Sequence, residues 1–118
     1  MKEIKYGEAK DLISKGIPVL CKISERDVQL INNVSTLDGH QILEKAGVQA
    51  LFVLYKFLPD NVTVAEDVPD VEYLLSEGEK VYCINPIRGG KEEIITYKNL
   101  SRYMRDIHMK KIIAYWYD

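Results

Sequence analysis

The sequence predicts an α+β fold of two tandem helix–strand–strand–helix–strand units that share one core and a mostly antiparallel sheet. Three observations predict it. Residues 11–21 (DLISKGIPVLC) and 73–83 (YLLSEGEKVYC) agree at five of eleven positions at an offset of 62: Leu12/Leu74, Ser14/Ser76, Gly16/Gly78, Val19/Val81 and Cys21/Cys83. The same offset lays the apolar run 50–55 (ALFVLY) over 112–117 (IIAYWY), with Tyr55 on Tyr117 and no net gap, which points to an internal duplication. Finally, 118 residues, 47% of them hydrophobic, suit one domain. A unit of about 55 residues buries too little of its surface to stand well alone. The expected organisation is therefore a single domain, 1–118, with a repeat unit at 1–55, an acidic linker at 56–69 and a second repeat unit at 70–118.

In the first unit Ala9, Leu12 and Ile13 form one helical face, Gly16 supplies a left-handed cap and Pro18 stops the helix. Residues 19–23 and 28–34 read as strands of a hairpin around the polar turn Ser24–Asp27. Ser35 followed by Asp38 resembles a capping box. It opens a second helix with Ile42, Leu43 and Ala46 on its buried side and Gly47 at its end. Residues 48–55 are apolar without alternation, as in a central strand.

In the second unit Pro69 suits a first helical turn, Val71, Leu74 and Leu75 face inward, and Gly78 is the cap. Residues 80–85 and 93–97 form strands around Arg88-Gly89-Gly90-Lys91. Leu100, Tyr103, Met104 and Ile107 recur at helical spacing, and 110–117 is the final strand.

The formal charge of -2 excludes a generally basic nucleic-acid binder and disfavours sequence-specific nucleic-acid recognition. That total hides a segregation. Residues 60–79 carry seven acidic side chains and no basic one, whereas 80–111 carry eight basic against three acidic. Lys98, Arg102 and Arg105 stand at i, i+4, i+7 and are expected to share a helix face, with Arg88 and Lys91 adding cations from the preceding hairpin. Seven of the eleven aromatic residues also lie in this half. Tyr97 and Tyr103, nearest the cations, are the aromatic candidates for contact with a ligand or partner, because tyrosine joins a large apolar ring to a polar tip. Trp116 reads as core, pointing opposite to Tyr115 and Tyr117.

No catalytic residue is assigned. His40 and His108 are the only neutral-pH bases and occupy non-equivalent positions. No metal-ligand spacing, phosphate loop or cofactor motif occurs, so neither metal nor cofactor is expected. Cys21 and Cys83 lie in apolar strands and read as buried, free thiols in a reducing, cytoplasmic setting. No apolar run is long enough to span a membrane, and no secretory leader is recognised.

The two helix–Gly–strand segments, DLISKGIPVLC and YLLSEGEKVYC, resemble small phage-encoded proteins, among them a family of nucleotide-signal sponges. The resemblance covers about a dozen residues per half. It lacks the tryptophan that usually follows the first strand in that family and transfers no site residue. It implies sequestration of a nucleotide-like molecule.

The leading expectation is a non-enzymatic interaction protein that offers Arg88, Lys91, Tyr97, Lys98, Arg102, Tyr103 and Arg105 to an acidic protein partner. The alternative is a module that sequesters a phosphorylated small molecule, and the third is an enzyme of undefined chemistry. Open sheet edges also allow a homo-oligomer.

Overall fold

Each half of the chain closes its own sheet by inserting its last strand between its first two. The computed structural model describes residues 2–86 and 90–118. It divides into a unit Met1–Phe57 and a unit Leu58–Asp118. The first unit runs β1 (Lys2–Ile4), α1 (Tyr6–Ser14), β2 (Val19–Lys22), β3 (Val28–Ile31), α2 (Val34–Lys45) and β4 (Val53–Lys56). The second runs β5 (Val62–Ala65), α3 (Val68–Ser76), β6 (Val81–Ile84), β7 (Glu92–Ile95), α4 (Leu100–His108) and β8 (Ile113–Tyr117). The two four-stranded sheets have orders β1-β4-β2-β3 and β5-β8-β6-β7, and every pairing in them is antiparallel. The α+β class and the repeated order of elements are as the sequence predicts.

The repeat is most regular at α1 and α3. Each ends in a Schellman cap with a glycine at positive φ, 82° at Gly16 and 79° at Gly78. The Gly16 amide donates to the Ile13 carbonyl and the Ile17 amide to that of Leu12. Gly78 donates to Leu75 and Glu79 to Leu74 in the same way. A side chain at either glycine would strain this left-handed turn.

The single offset of 62 does not persist. Leu20 faces Tyr55 on the last strand, and its equivalent Tyr82 faces Tyr115, so Tyr55 corresponds to Tyr115 rather than to Tyr117. By strand register the offset is 62 at β2 and β6 but 64 from Ile31 to Ile95 and 60 from Leu54 to Ala114. The second hairpin is longer, whereas α4 has nine residues against twelve in α2.

The predicted linker is also structured. Residues 62–65 form β5, an edge strand, and α3 begins at Val68. The leading strand of the first unit, β1, is likewise additional to the expected pattern. In α2 the cap is Asn33, whose side chain accepts a hydrogen bond from the Thr36 amide at 2.8 Å, in place of Ser35. That helix buries Leu37 near its start. Ile42 and Leu43 remain 65% and 42% exposed, because only the first part of α2 reaches the core. Met104 of α4 is similarly exposed, while Leu100 and Ile107 are buried.

A buried cluster underlies the helices of each unit: Ala9, Ile13, Val19, Cys21 and Leu37 in the first, Val71, Val81, Cys83, Ile107 and Ala114 in the second. Where the sequence predicts a common core, these helix-side clusters are two, one per unit. No helix among the described residues is long and apolar enough to cross a membrane.

Replacing Asn33 by Ala removes the acceptor for the Thr36 amide and is expected to cost about 1 kcal/mol. Urea denaturation checks this as a lower midpoint at unchanged slope.

Candidate functional site

On the second unit, β6, β7 and α4 surround a cleft of about 290 Å³. Cys83 and Ile112 contribute its apolar surface. Asn85, Lys91 and Glu93 enter from the strand side, and Arg102, Tyr103 and Asp106 from α4. Leu100 and Ile107 anchor the helix in the core, Tyr103 packs at the margin of that cluster, and Arg102 and Asp106 project away from it. Pairing of Cys83 with Glu93 places that carboxylate beside α4, where Glu93 Oε2 accepts a hydrogen bond from the Tyr103 hydroxyl at 2.7 Å. This bond, more than burial, pushes the Tyr103 phenol up to about 12. Burial, followed by the Glu93 charge, raises the Cys83 thiol to about 12, which suppresses the thiolate needed for nucleophilic chemistry. Lys91, Arg102 and Asp106 make no ion pair among the described residues.

Of the residues singled out in the sequence, Lys91, Arg102 and Tyr103 therefore converge. Lys98 and Tyr97 do not line the cleft. They precede α4, which starts at Leu100, and both are exposed, Tyr97 by 63%. Helical spacing counted from Lys98 thus fails. Arg105 opens instead on a shallow groove with Asp67, Pro69, Met104 and His108. The expected common face of Lys98, Arg102 and Arg105 is divided among separate surfaces. Arg88 lies outside the described residues. Asn85, Glu93 and Asp106 were not singled out as site residues. The signal that could have found them is the hairpin register, which sets Glu93 opposite Cys83.

The first unit supplies an internal comparison. By register Cys21 corresponds to Cys83, Ile23 to Asn85, Gln29 to Glu93, Asp27 to Lys91 and Phe52 to Ile112. Ile23 and Phe52 pack against the first core. His40 of α2 reaches both Gln29 (Nε2 to Oε1, 3.1 Å) and Gln49 (Nδ1 to Oε1, 2.9 Å). Gln49 Nε2 donates to the Leu51 carbonyl at 2.7 Å, which turns its oxygen toward His40. Both ring nitrogens are thus engaged in a bridge between α2, β3 and the segment before β4. His108 ends α4 and approaches the carboxylate of Asp67, the cap of α3, at 3.3 Å. The hydrogen bond from the Val68 amide, followed by that from His108, holds Asp67 below the usual carboxylate range.

The opposite side of the second sheet carries Tyr82, Tyr115 and Tyr117, with ring centroids 5.2–6.0 Å apart. The hydroxyls of Tyr115 and Tyr117 both donate to Glu92. Trp116 packs against the core cluster on the other side. Among the described residues no group of three or more His, Cys, Asp or Glu side chains could hold a metal ion. The chain matches no family model, no curated protein and no solved structure.

Two outcomes follow from these surroundings. Cys21, raised to about 11 by burial and the Asp27 charge, and Cys83 should resist an aromatic disulfide reagent at pH 8 in the native protein and react fully in guanidinium. Asp67 has a folded-state pKa below its unfolded value, so the unfolded chain binds the extra proton. Its contribution to stability is present above about pH 4 and is lost as pH falls through the folded value. Asp67→Asn should flatten that part of a stability-against-pH curve.

Proposed function

We propose that the protein is a non-enzymatic binding module whose second unit sequesters a small, phosphorylated or nucleotide-like molecule in the cleft between β6, β7 and α4. The observation that carries this reading is the divergence of the two units at one equivalent place. Where the first has Ile23, Gln29 and Asp27, the second has Asn85, Glu93 and Lys91, with Arg102 and Asp106 added from α4. Apolar packing accounts for the arrangement of the first unit, where Ile23 joins the core, but not for charged, largely exposed side chains at the same place in the second.

The chemistry of the lining narrows the ligand. Arg102 offers a planar fork of donors and Lys91 a point charge, the pair that phosphoryl groups accept. Glu93 and Asp106 balance these charges, so a bare polyanion is disfavoured. A ligand with an anionic group at one end and amino or hydroxyl donors at the other meets both sets. A volume near 290 Å³ lies at the lower end for ligand pockets and suits a small molecule or one end of a larger one. The two unpaired thiols accord with a reducing, cytoplasmic setting.

A second reading, an acidic protein partner, is favoured by exposed Tyr97 beside exposed Lys98, outside the cleft. Thermal shift and calorimetry with inorganic phosphate, ribose 5-phosphate and the nucleoside monophosphates separate the two. At ligand concentrations of about 100 times Kd the stabilisation approaches 2.7 kcal/mol, a shift of several degrees. Arg102→Ala and Lys91→Ala should each weaken binding tenfold or more, and Lys98→Ala should leave it unchanged. A flat response across the panel, together with a pull-down that Lys98→Glu abolishes, would give the assignment to the protein partner.

A further inference from the structure

A second surface of the same unit, between β5 and α3, joins an open strand edge, an apolar groove and an acidic rim. Among the described residues β5 pairs only with β8 and forms one edge of its sheet, so half of its backbone donors and acceptors face no strand there. Beside that edge lies a groove of about 340 Å³ between β5 and α3. Its walls are apolar and aromatic: Ala65 from β5, Leu74 and Tyr73 from α3, and Trp116, which stands opposite the small Thr63 in the β5–β8 ladder. Its rim is acidic, formed by Glu66 and Asp70.

The rim carboxylates Glu66 and Asp70 make no ion pair among the described residues, whereas the neighbouring Asp67 pairs with His108. Residues 60–79 contain seven carboxylates and no Lys or Arg. Asp70 is already committed at one oxygen, where Oδ2 accepts from the Glu66 and Asp67 amides and completes the capping box of α3. The Glu66 side chain is exposed and makes no hydrogen bond or ion pair among the described residues. Tyr73 is 65% exposed, an unusual cost for a large ring whose apolar body gains by burial.

We propose that the β5–α3 groove binds an extended basic peptide segment, added as a fifth strand at the β5 edge with Arg or Lys at alternate positions facing the groove. Strand addition supplies main-chain hydrogen bonds, and the groove reads every second side chain. An Arg or Lys stem lies along the apolar wall formed by Leu74 and Trp116 while its charged end reaches Glu66 or the Tyr73 ring. An acidic segment meets like charge from Glu66 and Asp70 at the rim and is excluded. The other edge strand, β7, carries Glu92 and Glu93 but borders the cleft already assigned to the small ligand. This inference does not rest on that assignment.

Trp116 is the sole tryptophan and lies in the groove wall, so its fluorescence reports occupancy. The probe is an acetylated, amidated peptide Thr-Arg-Val-Arg-Val-Arg-Thr, compared with the version carrying Glu for Arg. Two further versions are N-methylated either at every Arg or at every Val. The basic peptide should give a saturable change that weakens with salt, and the Glu peptide none. One N-methylated version should lose binding and the other keep it, because alternate amides of an added strand face the sheet. Tyr73→Ala and Glu66→Lys, both at exposed positions, should each weaken binding at least tenfold. Glu44→Lys, an equal charge change in the first unit, should not. The proposal is overturned if no saturable change occurs up to about 1 mM peptide, if the Glu peptide binds equally, or if both N-methylated versions bind as the parent does. Self-association by sedimentation that Tyr73→Ala abolishes, without peptide binding, would overturn it in favour of a second copy of the chain.

Discussion

Insertion of the last strand between the first two is the constraint on which each unit depends. In the order β5-β8-β6-β7, β8 supplies hydrogen bonds to both β5 and β6 and carries Ala114 into the core between them. Without β8, β5 has no partner and the β6–β7 hairpin stands alone, an arrangement only marginally stable in water. The same holds for β4 with β1 and β2. The sheets therefore close only when the C-terminal segment of each unit is in place. The same position is filled differently in the two units: Ala114 faces Cys83 across the ladder, and Leu54 faces Cys21.

The cleft inherits its geometry from that closure. Side chains alternate across a strand, so a slip of one residue between β6 and β7 would carry Glu93 to the opposite side and leave Tyr103 without its acceptor. Glu92 would move in exchange, away from Tyr115 and Tyr117. The two adjacent glutamates thus hold opposite sides of the hairpin in register. The helix is held by a different means. Leu100 and Ile107 lie two turns apart and fix both its position and its rotation, which leaves Arg102, Tyr103 and Asp106 to line the cleft.

What could be read in the sequence follows from where the information lies. The caps at Gly16 and Gly78 and the strands after them were legible, because a left-handed turn needs glycine and the pattern occurs twice. The last strands were legible as strands but not in register. A wholly apolar run looks alike when displaced by two residues, and only the pairing of Tyr82 with Tyr115 decides. The strands β1 and β5 escaped because three or four residues at a sheet edge bury little, and Lys2 and Glu3 disguise the first of them. The buried side of α2 was misread because Ile42 and Leu43 carry the hydrophobicity while Leu37 reaches the core. At the site, Lys91, Arg102 and Tyr103 were marked by charge and aromaticity. In the sequence Glu93 and Asp106 only lower the basic total of 80–111, since their proximity to the cations is a property of the fold.

The two units line the same place in the scaffold with different chemistry. In the first, His40 bridges two glutamines across the space between α2 and β3, and the Asp27 charge acts on Cys21. In the second, that place carries two cations and two carboxylates, and the segment leading into α3 carries carboxylates alone. Opposite charges gathered for stability would be expected to pair directly. Here Asp67 pairs with His108, yet Lys91, Arg102, Asp106 and Glu66 make no ion pair among the described residues. Exposed ion pairs contribute little to stability, so leaving these groups apart costs the fold little. Left apart, the cations and carboxylates of the cleft balance one another while the rim of the β5–α3 groove carries carboxylates alone, so a near-neutral chain keeps two differently charged surfaces on one small unit.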